Sequence, residues 1–332
     1  MQRNKSLSLA TSFISLIGAL VLSACGGGQT DLGTDGRAQP LDAGGAPPIA
    51  EAEVLEPSAA TTIRSANVFE KPEWDGEFFD GLQNSIECEA SIERSTAVSR
   101  SGESSVRFQT GLKNIKCPKG YYRTEVSVKT GEHAAKDYAW DDPNLNWVGL
   151  SIYPRKFDNP AFTLVQIHAP NEKKGSHCDY AGNAATIKPE MIDGKMHYAF
   201  YVILDGSKVR ERNGAFSGTT RVWKEPMKMN AFTDFVFSFT LSTKKNGTVK
   251  LWRNGELVYS AAGLTNVNYI DSCGNPIADR KHRGPRAGIY GPPTEGTAKQ
   301  LAKYGDPYRE LFVDHLRTAT GPDGYALVDP SR

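Results

Sequence analysis

Phe235-Val-Phe-Ser-Phe-Thr-Leu-Ser242, then Lys245-Asn246-Gly247-Thr248, then Val249-Lys-Leu-Trp252, then Arg253-Asn254-Gly255-Glu256 is the stretch that decides the fold class. Strict alternation puts Phe235, Phe237 and Phe239 on one face of an extended chain, whereas a helix would need apolar residues three and four apart. The first Asn-Gly offers the positive φ of a tight hairpin turn, Val249–Trp252 returns, and the second Asn-Gly turns the chain again. Working outward, runs of alternating, β-branched and aromatic residues recur between Gly, Pro, Asn and Asp. They predict strands over Ser105–Thr110, Tyr121–Val128, Trp147–Tyr153, Thr163–His168, His197–Leu204, Asp234–Ser242, Val249–Arg253, Glu256–Ser260, Arg286–Tyr290 and Glu310–Thr318. The reading is all-β. Strands of this number and length suit two packed antiparallel sheets better than a small barrel. The best short helix candidate is Thr297–Tyr304, and no internal repeat is visible.

The first residues carry Arg3 and Lys5, an apolar run from Leu7 to Leu22, and Leu22-Ser23-Ala24-Cys25. That pattern resembles a lipoprotein signal peptide over residues 1–24, with Cys25 as the lipidated first mature residue. Gly26 in place of Asp resembles sorting to the outer membrane, with the membrane face left open. A Gly/Pro/Ala-rich tether runs from 25 to 60, a single domain is expected over 61–322, and residues 323–332 read as a C-terminal tail. The domain, about 270 residues with its tail, is large enough to bury a sizeable core. Lys plus Arg number 39 against 38 Asp plus Glu, so no global field would steer nucleic acid, and none is expected as a partner. Of five cysteines, lipidation accounts for Cys25. The remaining four, Cys88, Cys117, Cys178 and Cys273, lack metal-site spacing and point to two disulfides in an oxidising compartment. Three pairings are open, with Cys88–Cys117 and Cys178–Cys273 favoured because the first pair brackets one group of strands.

An ordered series of short landmarks runs through the domain: Gly102-Glu-Ser-Ser-Val-Arg107-Phe108, Tyr122-Arg123-Thr124-Glu125, Trp147-Val-Gly-Leu-Ser151-Ile-Tyr-Pro154, Leu164-Val-Gln166-Ile167-His168, Val249-Lys-Leu-Trp252-Arg-Asn254-Gly255, Arg286-Ala-Gly288-Ile289-Tyr290 and Phe312-Val-Asp314-His-Leu-Arg317. Over residues 64 to 321 the chain thereby resembles the polysaccharide lyases of the concanavalin-like β-jelly-roll type, the group with glucuronan lyase and heparin lyase I. Alginate lyases are more distant relatives. The resemblance implies a β-jelly-roll sandwich, an acidic polysaccharide as substrate, and β-elimination at a uronate. Such an enzyme must neutralise a carboxylate, take a poorly acidic C5 proton and protonate the departing C4 oxygen.

Gln166 and His168 are two apart on a strand and project from one face, presenting a carboxylate neutraliser beside a base. An imidazole near neutrality suits the base role. Arg123 and Glu125 share that spacing. Arg123 can hold a carboxylate with a bidentate fork, and Glu125 can orient it or a neighbouring base. Alginate lyases resemble Arg-x-Glu-x-Arg here, and Ser127 stands where their second Arg would fall. In Arg286-Ala-Gly-Ile-Tyr290 the family pattern has Lys first. The resemblance makes Tyr290 the acid for the C4 oxygen and Arg286 a substrate-binding cation. Lys281 and Arg283, within the basic run Arg280–Arg283, are expected to receive neighbouring acidic groups. Trp140, with Trp147 and Trp223, could stack on sugar faces, although Trp147 and Trp252 lie in strand patterns and suit the core.

Two other readings compete. Glu73, Asp75 and Glu77 alternate as in jelly-roll hydrolases that use paired carboxylates, but Pro72 and Gly76 interrupt any strand there. A non-catalytic glycan-binding lipoprotein would use the same sandwich without turnover. No nucleophile elbow, phosphate loop or His-Glu-x-x-His motif occurs. No organic cofactor and no metal are implied, and a structural calcium is left open with no acidic cluster pointing to one. The expected assembly is a monomer that meets the membrane only through its lipid.

Overall fold

A computed structural model of the chain describes residues 62–65, 82–87, 91–111, 121–128, 138–157, 163–168, 182–207, 219–271, 273–278, 280–293 and 308–332. Two antiparallel sheets are stacked. In one, the order is β14 (Glu256–Leu264), β13 (Gly247–Arg253), β12 (Thr233–Thr240), β7 (Asn146–Lys156), β17 (Arg309–Thr320), β4 (Ser105–Thr110) and β3 (Ser91–Ser95), and β1 (Thr62–Ser65) pairs with β17. In the other the order is β11 (Thr219–Pro226), β10 (Lys195–Ile203), β9 (Ala185–Ile192), β8 (Thr163–Ile167), β16 (Pro285–Pro293), β5 (Tyr121–Val128) and β2 (Leu82–Glu87). A small ribbon pairs β6 (Tyr138–Ala139) with β15 (Lys281–His282). The topology brings β16 between β5 and β8, strands distant in sequence, and so builds the centre of the second sheet. The fold is the expected all-β jelly-roll sandwich.

The core is the layer between the sheets. Phe235, Phe237 and Phe239 all point into it, each at most 2% exposed. The first two meet Tyr198 and Phe200 of β10 with ring centroids 5.2 and 5.6 Å apart, and the third meets Tyr138 edge-on at 4.9 Å. These are the separations at which aromatic pairs add to simple area burial.

The two Asn-Gly dipeptides behave differently. Asn254 and Gly255 have φ of 49° and 82° between the paired residues Arg253 and Glu256, a two-residue hairpin turn as read from the sequence. The first does not turn the chain that way. Thr240 pairs with Thr248, so the connection spans 241–247 and Gly247 opens β13. It is held from outside. Asn266 accepts from the Ser242 backbone N–H at 2.8 Å and donates to the Thr240 carbonyl at 2.8 Å, and a side chain at Gly247 would collide with it.

Three strands of the second sheet, β2, β9 and β11, escape the sequence reading. β9 carries Pro189, which ordinarily argues against a central strand. β9 pairs with β8 only at Ile187 and Thr186, so Pro189 lies where that flank is no longer paired. β11, Thr-Thr-Arg-Val-Trp-Lys-Glu-Pro, is an edge strand with few apolar residues. The segment read as a tail also has a place. A short helix, Tyr325–Val328, covers the outer face of the first sheet, where Val328, Trp147, Val236 and Ala319 form a small second cluster. Gly149 accommodates it, since any Cβ there would meet the Val328 carbonyl.

Candidate active site

Three neighbouring strands carry the site. Arg286 of β16 lies between Gln166 of β8 and Ser127 of β5, Gly288 is opposite Glu125, and Tyr290 is opposite Arg123. Directly paired residues share a face, so Arg123, Glu125, Gln166, Arg286 and Tyr290 all project from the side of the sheet turned away from the core. Their neighbours Val126, Val165, Ile167, Ala287 and Ile289 point the other way and are at most 2% exposed. The period-two spacing seen in the sequence is therefore what separates chemistry from packing here.

Glu125 is the centre of the network. It is 1% exposed, and its two oxygens accept from Arg123 Nε at 2.7 Å and from Gln166 Nε2 at 2.8 Å. Gln166 Oε1 in turn accepts from Asn183 Nδ2 at 2.6 Å. These contacts orient the Gln166 amide, whose second N–H has no partner among the described residues. The Arg123 guanidinium carbon lies 5.5 Å from the centre of the Tyr290 ring. Gly288 is required for this assembly: its φ is 141°, and an added Cβ would strike the Thr124 carbonyl and the Glu125 backbone. Asn183 was invisible to sequence reasoning, because no motif or spacing ties a residue after the 171–181 segment to Gln166.

The electrostatics favour an anion. Arg123, Arg283 and Arg286 lie within electrostatic reach of one another, and Glu125 lies among them. Burial pushes the Arg286 pKa below its ordinary value, the like charges of Arg123 and Arg283 push the same way, and Glu125 opposes them. The Nε of Arg286 is buried and has no hydrogen-bond partner among the described residues. A buried guanidinium N–H without an acceptor costs free energy unless a ligand supplies one. His168 stands half-buried just beyond β8, and its carbonyl accepts from the Arg283 N–H at 3.0 Å. That bond pins the approach to β16 against the end of β8.

Other expected residues fall elsewhere. Trp140 is a correction: it is 6% exposed in the core and donates its indole N–H to His282 Nδ1 at 2.8 Å, so its face is not offered to a sugar. Within the basic run, only part faces solvent. His282 is fully buried, Arg280 pairs with Asp141 at 2.7 Å, Lys281 is exposed and Arg283 is half-buried. Trp147 and Trp223 pack in or against the apolar clusters. Cys25, Glu73, Asp75, Glu77, Cys88, Cys117, Cys178 and the helix expected over Thr297–Tyr304 lie outside the described residues. Cys273 is disulfide-bonded. Among the described residues no cluster of three or more His, Cys, Asp or Glu could hold a metal ion.

One Ser–His contact elsewhere resembles hydrolase machinery and is not. Ser101 Oγ lies 2.6 Å from His315 Nε2, but Arg317 Nη2 lies 2.9 Å from the other ring nitrogen. A guanidinium can only donate, so Nδ1 is the acceptor and Nε2 carries the proton. The imidazole therefore has no lone pair with which to take the serine proton.

A polysaccharide lyase family model matches residues 68–317, and the chain belongs to that family. It is a polysaccharide lyase. Among solved structures, the endo-β-1,4-glucuronan lyase of the fungus Trichoderma reesei is similar in fold, with a TM-score of 0.53 and 16% identity, over 82% of this chain and 100% of that one. A family 7 alginate lyase matches more loosely, with a TM-score of 0.45 and 9% identity over 74% of this chain and 96% of that one. No curated protein matches by sequence.

Proposed function

We propose that the enzyme cleaves a uronate-containing polysaccharide by β-elimination, releasing unsaturated oligosaccharides. The observation that carries this is the buried Nε of Arg286, without a hydrogen-bond partner among the described residues and within electrostatic reach of Arg123 and Arg283. A uronate carboxylate supplies the missing acceptor. Arg123 and the second amide N–H of Gln166 neutralise it further, and Arg283 and Lys281 receive neighbouring acidic groups. Negative charge builds on that carboxylate as the C5 proton leaves, so these donors stabilise the transition state more than the bound substrate. His168 takes the C5 proton, the C5–H electron pair forms the C4–C5 double bond, the C4–O bond breaks, and Tyr290 protonates the departing oxygen. Glu125 touches no reacting atom in this scheme and positions Arg123 and Gln166.

The test is a panel of uronate polymers assayed by ultraviolet absorbance of the unsaturated product, with His168→Ala and Tyr290→Phe as controls. Each substitution is expected to lower kcat by about 10²–10⁴-fold, the usual contribution of a general acid or base. If no polymer yields the absorbance, or both variants match the wild type, the mechanism is wrong. Retained polymer binding without turnover would instead assign a glycan-binding protein.

We also propose that lipidation of Cys25 anchors the enzyme at the cell envelope, at the outer membrane, with disulfides among Cys88, Cys117, Cys178 and Cys273. Fatty-acid labelling of the wild type and its loss in Cys25→Ser would support the anchor, and labelling of both would refute it.

A further inference from the structure

The outer face of the second sheet carries a second basic group of side chains, two to three strands from Gln166. Register places Gln166, Thr186, Tyr201 and Arg221 in one row across β8, β9, β10 and β11. In the adjacent row Lys188 and Lys224 flank Ala199, which they leave fully buried. Strands about 4.8 Å apart put Tyr201 about 10 Å and Arg221 about 14 Å from Gln166.

The group has a built geometry. Lys188 Nζ sits 4.6 Å from the centre of the Tyr201 ring, the Tyr201 hydroxyl donates to Glu190 Oε1, and Arg221 Nη1 donates to Glu190 Oε2 at 2.5 Å. Burial pushes the Lys188 ammonium below its ordinary pKa, which Glu190 only partly opposes. Arg221 already pairs with Glu190, so Lys188, within electrostatic reach of that carboxylate, and Lys224, in the neighbouring row, add positive charge that a simple cross-strand ion pair does not need. The excess is of the same sign as at Arg286 and lies on the same face.

We propose that Lys188, Tyr201, Arg221 and Lys224 form a distal subsite that holds an acidic sugar of the same polymer, two or three residues along from the bond that is cleaved. The strand spacing is close to the length of one pyranose in a chain, so a polymer crossing the strands from Gln166 meets Tyr201 and then Arg221. The subsite rests on the lyase reading of the Arg123–Gln166–Tyr290 site. It makes the enzyme favour long substrates.

The test compares wild type with Arg221→Gln/Lys224→Gln on size-defined oligomers of whichever uronate polymer the wild type cleaves. Both residues are exposed on an edge strand. The expected result is that kcat/KM for oligomers spanning both sites falls about tenfold relative to the shortest cleavable oligomer, the equivalent of one good charged contact. The drop should shrink at high salt. An equal change at every length, or none, overturns the subsite. If the wild type cleaves no polymer, the lyase reading falls by itself, and retention of the two proteins on immobilised acidic polysaccharide decides the subsite: weaker retention of the double variant supports it, and equal retention overturns it.

Discussion

Glu125→Gln preserves the shape of the side chain at the centre of the site and removes its charge. Both carboxylate oxygens are occupied as acceptors, one by Arg123 Nε at 2.7 Å and one by Gln166 Nε2 at 2.8 Å. An amide has one acceptor oxygen, so its NH2 must face one of these two donors. One charge-assisted hydrogen bond is lost outright and the other is reduced to a neutral acceptor. Bonds to charged groups contribute about 1.5–3 kcal/mol each, equivalent to about 10- to 150-fold in kcat/KM if the freed donor drifts from its position. Because Arg123 and Gln166 are assigned to charge that grows in the transition state, kcat should fall more than KM rises. Glu125 is 1% exposed, so stability should fall too, by about 2–4 °C in melting temperature for each kcal/mol in a domain of this size. Kinetics are followed by product absorbance well below the melting range, beside a thermal melt of the same preparation. A melting temperature that drops while kcat/KM stays within about twofold of wild type would refute the positioning role and leave Glu125 a purely structural residue.

Two further outcomes follow from the packing. His282 accepts the Trp140 indole N–H on Nδ1, and its other ring nitrogen lies 3.2 Å from the Gly182 carbonyl; burial lowers its pKa from 6.5 to about 4. Between those values the unfolded chain binds the proton and the folded one does not, so stability present above pH 6.5 is lost as pH falls toward 4. Melting temperature against pH should therefore decline less steeply over that window in His282→Gln, and parallel curves would contradict the assignment. Removing residues 325–332 uncovers Trp147, Val236 and Ala319. Lost burial of Val328 and its neighbours should cost about 2–4 kcal/mol, with a lower melting temperature and red-shifted tryptophan emission. An unchanged melt would show that the segment is a dispensable tail.

Much of the site was legible because a strand repeats every two residues. Arg123 with Glu125 needed only their spacing to be placed on one face, and Arg286 with Tyr290 needed the family pattern as well. Trp140 was misread because aromatic exposure is not a local property: the residue that buries it, His282, is 142 positions away. Asn183 was missed for the same reason.

What the sequence by itself determined is the set of elements and their facing: the Phe235–Phe239 alternation, the Asn254-Gly255 turn, the all-β sandwich, and which side chains share a strand face. These follow from backbone geometry and apolar period, which act over a few residues. Only the tertiary structure decided which strands are neighbours, and so which side chains complete one another. The insertion of β16 between β5 and β8 joins Glu125 to Gln166 and leaves the buried Nε of Arg286 without a partner among the described residues. The same is true of the first Asn-Gly, diverted by Asn266, and of the C-terminal segment, docked by Val328. Hydrogen-bond satisfaction and burial depend on partners brought together by the whole sheet, and no window of the sequence contains them.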